Sequence, residues 1–289
     1  MSRHEDSALA AWSTMTSANG LPQPLSHKQH NWDKAVVDYE KDRLLSDNAS
    51  RARLLAVSAE HSSDWLNALP ISSCGLRLSD EAIRVAVGLR LGAKLCLPHQ
   101  CLCGTAVDSL GAHGLSCKTS GARIQRHNAL NDVIHRALVR AGVPSTKEPP
   151  GLLRSDGKRP DGVTQIPWES GKCLAWDVTV VDTLAPSYAQ LSSISASKAA
   201  ERAAENKVAK YSAIIQTHDF VPLAIETLGP MNSLALSFLT QLGKRLAATS
   251  GEPRETSFLF QRLSMTVQRF NCVAFHDTFS AASNDAEDQ

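Results

Sequence analysis

Apolar residues recur every three or four positions over several long stretches of this chain and crowd together in a few shorter ones. Trp32, Val36 and Tyr39, then Leu54, Val57, Trp65 and Leu69, keep the helical interval, and Ser46-Asp47-Asn48 interrupts it. Two helices are expected between Asn31 and Leu69. Ser79-Asp80-Glu81 offers an N-cap and an acidic first turn to a helix through Ile83, Val87 and Arg90, which Gly92 would end. From Arg126 to Ala141, the residues Leu130, Val133, Ile134, Leu138 and Val139 make one apolar stripe, stopped by Gly142-Val143-Pro144.

Then the pattern changes. Arg159 to Gln165, Lys172 to Thr183 and Phe220 to Leu228 are short and β-branched, as strands are. An Ala-rich helix from about Ser195 to Thr217 should separate the last two, and two more helices are expected from Met231 to Ala248 and from about Thr256 to Ser280. The order helix, strands, helix, strand gives an α/β (α+β) chain. Residues 1 to about 30 are polar without apolar periodicity, and the last residues to Gln289 are small and acidic, so both tails are expected to be disordered. Between them the reading divides the chain into a helical linker region at 31–95, a cysteine-rich unit at 96–120 and a larger domain at 121–280.

At 289 residues, 43% of them hydrophobic, the chain can bury a proper core. No stretch approaches the roughly 20 apolar residues of a membrane span, and the first thirty residues lack a signal core. An intracellular protein with no membrane partner is the expectation. Net charge is only +1, but from Lys118 to Arg159 nine Lys/Arg stand against three acids, a local excess of +6 that suits a polyanion. Seven cysteines without a secretory signal argue for metal ligation or free thiols over disulfides.

Cys101, Cys103, His113 and Cys117 supply four soft or borderline ligands within seventeen residues, and Gly104, Gly111 and Gly114 allow tight turns between them. This is structural zinc spacing, with Cys96 and His99 near enough to be alternative ligands. Cys74, Cys173 and Cys272 read as small buried hydrophobes. The segment that follows is basic; Lys118, Arg123, Arg126 and, further on, Arg159 are the residues expected to meet nucleic acid.

Arg159-Pro160-Asp161 and Trp176-Asp177-Val178-Thr179 carry the candidate chemistry. Two carboxylates on adjacent strands can share Mg2+ or Mn2+, and such a cation neutralises phosphate and sharpens a water for phosphodiester hydrolysis. Strand alternation lets only one of Asp177 and Asp182 face Asp161. Asp177 is the expected partner, with the Val178 carbonyl as a further ligand, and Asp182 is expected to end the strand. A positive group is also needed near the transition state. Thr179 stands where a lysine is usual, so Lys198, Lys207 and Lys210 on the Ala-rich helix are candidates. Lys207 lies nearest the stripe Ala200, Ala204, Val208, Tyr211 and Ile215 and is the best placed.

Taken together, the knuckle Cys101, Cys103, His113, Cys117, the helix start Arg126-His127-Asn128, Arg159-Pro160-Asp161, Trp176-Asp177-Val178-Thr179 and Lys207-Val208-Ala209-Lys210-Tyr211 resemble the carboxy-terminal region of non-LTR retrotransposon polyproteins that carry a restriction-like endonuclease. The resemblance covers about residues 60 to 275. It implies the PD-(D/E)XK nuclease fold, a mixed sheet flanked by helices, acting in the nucleus to nick DNA and prime reverse transcription. It further implies Asp161 and Asp177 as metal ligands, Lys207 or Lys210 as a displaced catalytic lysine, Tyr211 as a site or packing residue, and a reverse transcriptase domain supplied by another chain. The alternative is an inactive nucleic-acid-binding remnant of the same origin.

Overall fold

A computed structural model describes residues 3–16, 28–46, 48–152, 157, 159–169 and 171–279. The chain begins with three helices, α1 (Arg3–Thr16), α2 (Gln29–Ser46) and α3 (Asn48–Val57). The expectation of disorder through residue 30 is therefore corrected over α1, whose buried Trp12 donates its indole N–H to the Trp32 carbonyl at 3.2 Å. The polar sequence hid a helix that packs Trp12 against Trp32. The acidic tail from Ser280, and Asp47 in the predicted break, lie outside the described residues.

Helix α4 (Asp80–Leu91) has the predicted ends: the Ser79 side chain accepts from the Ala82 N–H, and Gly92 closes the helix at φ +67°. A two-stranded hairpin of β1 (His99–Gln100) and β2 (Ala106–Val107) follows, and then α5 (Ala122–Arg140), which starts a turn before the apolar stripe does. Its early start has a tertiary cause. Asp277, far along the chain, accepts from the Ala122 N–H at 3.2 Å and from the Ser120 hydroxyl at 2.7 Å, capping an N-terminus that Gly121 cannot cap.

Four strands form the main sheet: β3 (Ser145–Lys147), β4 (Gly162–Glu169), β5 (Lys172–Val181) and, after the helices α6 (Ala189–Ile194), α7 (Lys198–Lys210) and α8 (Ser212–Ile215), β6 (Asp219–Glu226). Their spatial order is β3-β4-β5-β6; the first three run antiparallel and β6 lies parallel to β5. The sheet is thus mixed. Sequence patterning missed β3, which is three residues long on an edge and has no apolar alternation. It also placed the start of β4 three residues early. Pro160 has no N–H to give a ladder, and the Asp161 backbone is used elsewhere. Downstream β4 runs on through a register shift at Pro167, where a bulge tolerates the missing donor.

The predicted single Ala-rich helix starts only after Ser197, held left-handed at φ +66°, and is broken once, at Tyr211. Its buried side is Ala199, Ala200, Ala203 and Ala204, followed by Tyr211 and Ile214; Val208 is exposed and Ile215 half-buried, which corrects the expected stripe. Helices α9 (Ser233–Ser250) and α10 (Glu255–His276) complete the fold close to their expected bounds. No helix among the described residues is long and apolar enough to cross a membrane.

Alternation along β5 divides the protein into layers. Leu174, Trp176 and Val178, with Leu223 and Ile225 of β6, pack on Leu130, Ile134 and Leu138 of α5 and on Phe238, Leu242, Phe260 and Leu263 of α9 and α10. Ala175, Asp177 and Val181 turn to the other face, under α7 and α8, where alanines let the helix approach closely. Trp176 is wholly buried and donates to Asn131 Oδ1 at 2.8 Å. It lies over Gly162, its register partner, and a Cβ on that glycine would come within 2.0 Å of the indole. Gly162→Ala should therefore lower unfolding stability in urea by about 2–3 kcal/mol, whereas Gly151→Ala, which meets nothing within 4 Å, should change it by less than about 0.5 kcal/mol. Equal effects would show that the Trp176 contact does not constrain the sheet.

Candidate functional site

The four predicted soft ligands come together. Cys101 follows β1 and opens a turn closed by Gly104, whose N–H donates to the Cys101 carbonyl at 2.8 Å with φ +84°. His113 sits in a single helical turn, Ala112–Leu115, and Cys117 lies just beyond it. One ligand atom from each residue lies within 4.8 Å of all the others, with Cys101 Sγ 3.8 Å from Cys117 Sγ and Cys103 Sγ 3.2 Å from His113 Nε2. Thiolates at about 2.3 Å from a tetrahedral ion stand roughly 3.8 Å apart. The cluster can hold a metal ion such as zinc. Thr105 and Thr119 hydroxyls, 3.2 Å from the Cys103 and Cys117 sulfurs, are placed to orient those ligands. The Thr105 hydrogen bonds draw the Cys103 thiol down to about 6, while burial pushes Cys101 up to about 11.

The alternative ligands do not join this cluster. Cys96 Sγ turns to the Asp108 carbonyl at 3.5 Å, and His99 bonds the Thr278 hydroxyl at 2.9 Å while stacking on Phe279. Of the three other cysteines only Cys272 is buried; Cys173 is half-buried and Cys74 exposed, against expectation.

The cysteine unit is docked on α10. A Cβ on Gly114 would meet the Ala274 carbonyl at 2.3 Å and one on Gly111 the Phe275 ring at 2.3 Å, so both glycines are required by close approach. Arg126 completes the joint. It is 2% exposed and donates to Asn271 Oδ1 at 2.8 Å and to the Leu115 carbonyl at 3.1 Å, with burial drawing its pKa down to about 10. It is a brace inside the protein, which corrects its assignment to a nucleic-acid face. The cue was present: Arg126 is in phase with Leu130, Ile134 and Leu138.

Lys118 and Arg123 are exposed. Much of the remaining basic excess is locally answered. Lys147 pairs with Asp132 and Arg140 with Glu255, each at 2.5 Å, and Arg159 pairs with Glu148. Arg154, Asp156 and Lys158 lie outside the described residues.

Lys207 bonds Asp177, and Asp161 is close enough to perturb the same carboxyl. Asp161 immediately precedes β4, and its Oδ2 accepts from the Val178 N–H of β5 at 2.6 Å. Asp177, 3% exposed on the α7 side of β5, accepts from Lys207 Nζ at 2.5 Å. Burial, then the neighbouring Asp161 charge, raises the Asp177 carboxyl above the usual carboxylate range, against the lowering effects of Lys207 and the Tyr211 hydroxyl. Lys207 is the lysine brought to the carboxylates. Lys210, 5.9 Å from the centre of the Tyr211 ring, is half-buried beside it. Lys198 opens α7, two turns and more from Lys207. Tyr211 is buried and donates to the Arg159 carbonyl at 2.9 Å, which ties the approach to Asp161 to the end of α7.

Sequence reasoning gave His127 no role, yet its Nε2 is 3.1 Å from Asp161 Oδ1, and that hydrogen bond raises the imidazole pKa. Asn131, one turn on, donates to the Asp161 carbonyl at 3.3 Å. A polar pair four apart beside the apolar stripe of α5 was the available signal. Asp182 ends the strand as expected: its buried Oδ1 accepts from the Leu184 N–H at 3.1 Å and the Thr227 hydroxyl at 3.0 Å, away from the Asp161 site.

No model of a known protein family matches this chain, and no curated protein matches it in sequence.

The purified chain should carry one equivalent of zinc by elemental analysis. Cys117→Ser should lose it and lower Tm by about 5–10 °C. Stoichiometric zinc in that variant would place the metal elsewhere.

Proposed function

We propose that this chain is a divalent-cation-dependent DNA endonuclease with a PD-(D/E)XK core, related to the restriction-like region of non-LTR retrotransposons. The observation that carries the proposal is the convergence of Asp161, Asp177 and Lys207, which are distant in sequence and drawn together by the β4–β5 register and the placement of α7. The order α5-β3-β4-β5-α7-β6, with both carboxylates where β4 enters alongside β5, supports it. So does the donor set: two carboxylates whose mutual repulsion is relieved by one ammonium are an oxygen-rich pair suited to Mg2+ or Mn2+.

A cation bound there supplies charge neutralisation on the phosphate and a more acidic water. The chain's own residues do the rest. Asp161 and Asp177 hold the cation, and His127, Asn131 and the Val178 N–H fix the Asp161 carboxylate and backbone against rotation. Lys207 places a positive charge at the phosphoryl group as the water oxygen bonds to phosphorus and gives up a proton to solvent, the ester P–O bond breaks and the departing sugar oxygen takes up a proton from solvent. The zinc unit braces α5 and presents Lys118 and Arg123 to the nucleic acid backbone. A reverse transcriptase on another chain is the proposed partner, and the nucleus the proposed place of action.

Two observations favour an inert binding remnant instead. Both Asp161 oxygens and one of Asp177 are already engaged by protein groups, and Thr179 replaces the usual lysine.

Zinc-loaded protein should nick supercoiled plasmid with magnesium or manganese. Asp161→Ala and Asp177→Ala should abolish nicking, and Lys207→Met should slow it by about 10²–10³-fold while leaving DNA affinity largely unchanged. A parent that binds DNA without cutting it would select the binding reading.

A further inference from the structure

We infer that Glu148 is a specificity-determining residue of this site: its carboxylate holds the guanidinium of Arg159, two residues before Asp161, until a nucleic-acid phosphate takes its place. This rests on the nuclease reading and adds a residue to it.

Both partners are fixed by their backbones and loose at their tips. The Glu148 N–H donates to the Asp161 carbonyl at 2.9 Å, and the Arg159 carbonyl accepts the Tyr211 hydroxyl at 2.9 Å. Neither main chain can leave the site without undoing those bonds. The paired side chains are 63% and 39% exposed respectively, so water and salt weaken their attraction and exchange of partner is cheap. A guanidinium can meet a phosphate with two parallel hydrogen bonds and greater strength.

The conformation of Glu148 is the second observation. At φ +47° it sits in the left-handed region, where glycine or asparagine would be relaxed and glutamate is strained. Strain of this kind persists where the surrounding bonds over-determine it, and here they include the carbonyl of a proposed cation ligand. The strained backbone directs the Glu148 side chain to Arg159.

The arrangement discriminates by charge number. A lone small anion must displace Glu148 and then face its repulsion, with nothing else to hold it. A nucleic acid, bound also through Lys118 and Arg123, brings its phosphate to Arg159 at high local concentration. Free Arg159 would bind either.

The test is a double-mutant cycle on binding of a short labelled DNA duplex by the full zinc-loaded chain, read by anisotropy at about 0.1 M salt. Glu148→Gln should tighten binding by about three- to tenfold and raise affinity for inorganic phosphate, and Glu148→Asn, compatible with positive φ, should do the same. In an Arg159→Gln background neither substitution should have any effect. Equal tightening in both backgrounds would reduce Glu148 to a general negative charge and overturn the inference while leaving the nuclease reading intact. Unchanged or weaker binding in both Glu148 variants would overturn it as well. A parent and variants that bind no DNA would overturn both.

Discussion

With Gly162 opposite Trp176, the indole fills the space that a side chain at that position of β4 would need, and its N–H is fixed on Asn131 of α5. The strand register is thereby locked from the core side. A slip of one residue would turn Asp177 from α7 into the apolar layer and carry Asp161 away from the Val178 N–H. The polar site on one face of the sheet thus depends on a close steric contact on the other.

Much of the fold could be read from the chain because its helices are strongly periodic and its caps are explicit. Ser79 and Gly92 bound α4 as their chemistry requires, and the stripe on α5 names its buried face. What escaped was set by tertiary contacts. The strand β3 exists because β4 offers it an edge, and the chain turns at Ser197 and Tyr211 where it passes from α6, packed on α3, to α7 and α8 on the sheet. Neither leaves a periodic trace.

The candidate site shows the same division. The carboxylates and the four soft ligands are legible because their chemistry demands particular residue types at particular intervals, and Lys207 because a helix angle can be counted. Arg126 and His127 show the limit. Adjacent in sequence, they point to opposite duties, one buried under the cysteine unit and one bonded to Asp161. Residue type alone placed Arg126 on the surface, although its phase along α5 said otherwise.

The last described helix holds the earlier parts together. Asp277 caps α5, Thr278 engages His99, and Ala274 and Phe275 receive the glycines of the cysteine unit. A ribosome makes these residues after the parts they hold. The soft ligands and α5 are synthesised before the surface on which they dock exists, so they stay unbraced until α10 emerges. A chain ending between Tyr211 and Ala274 would therefore lack the brace while keeping every proposed site residue.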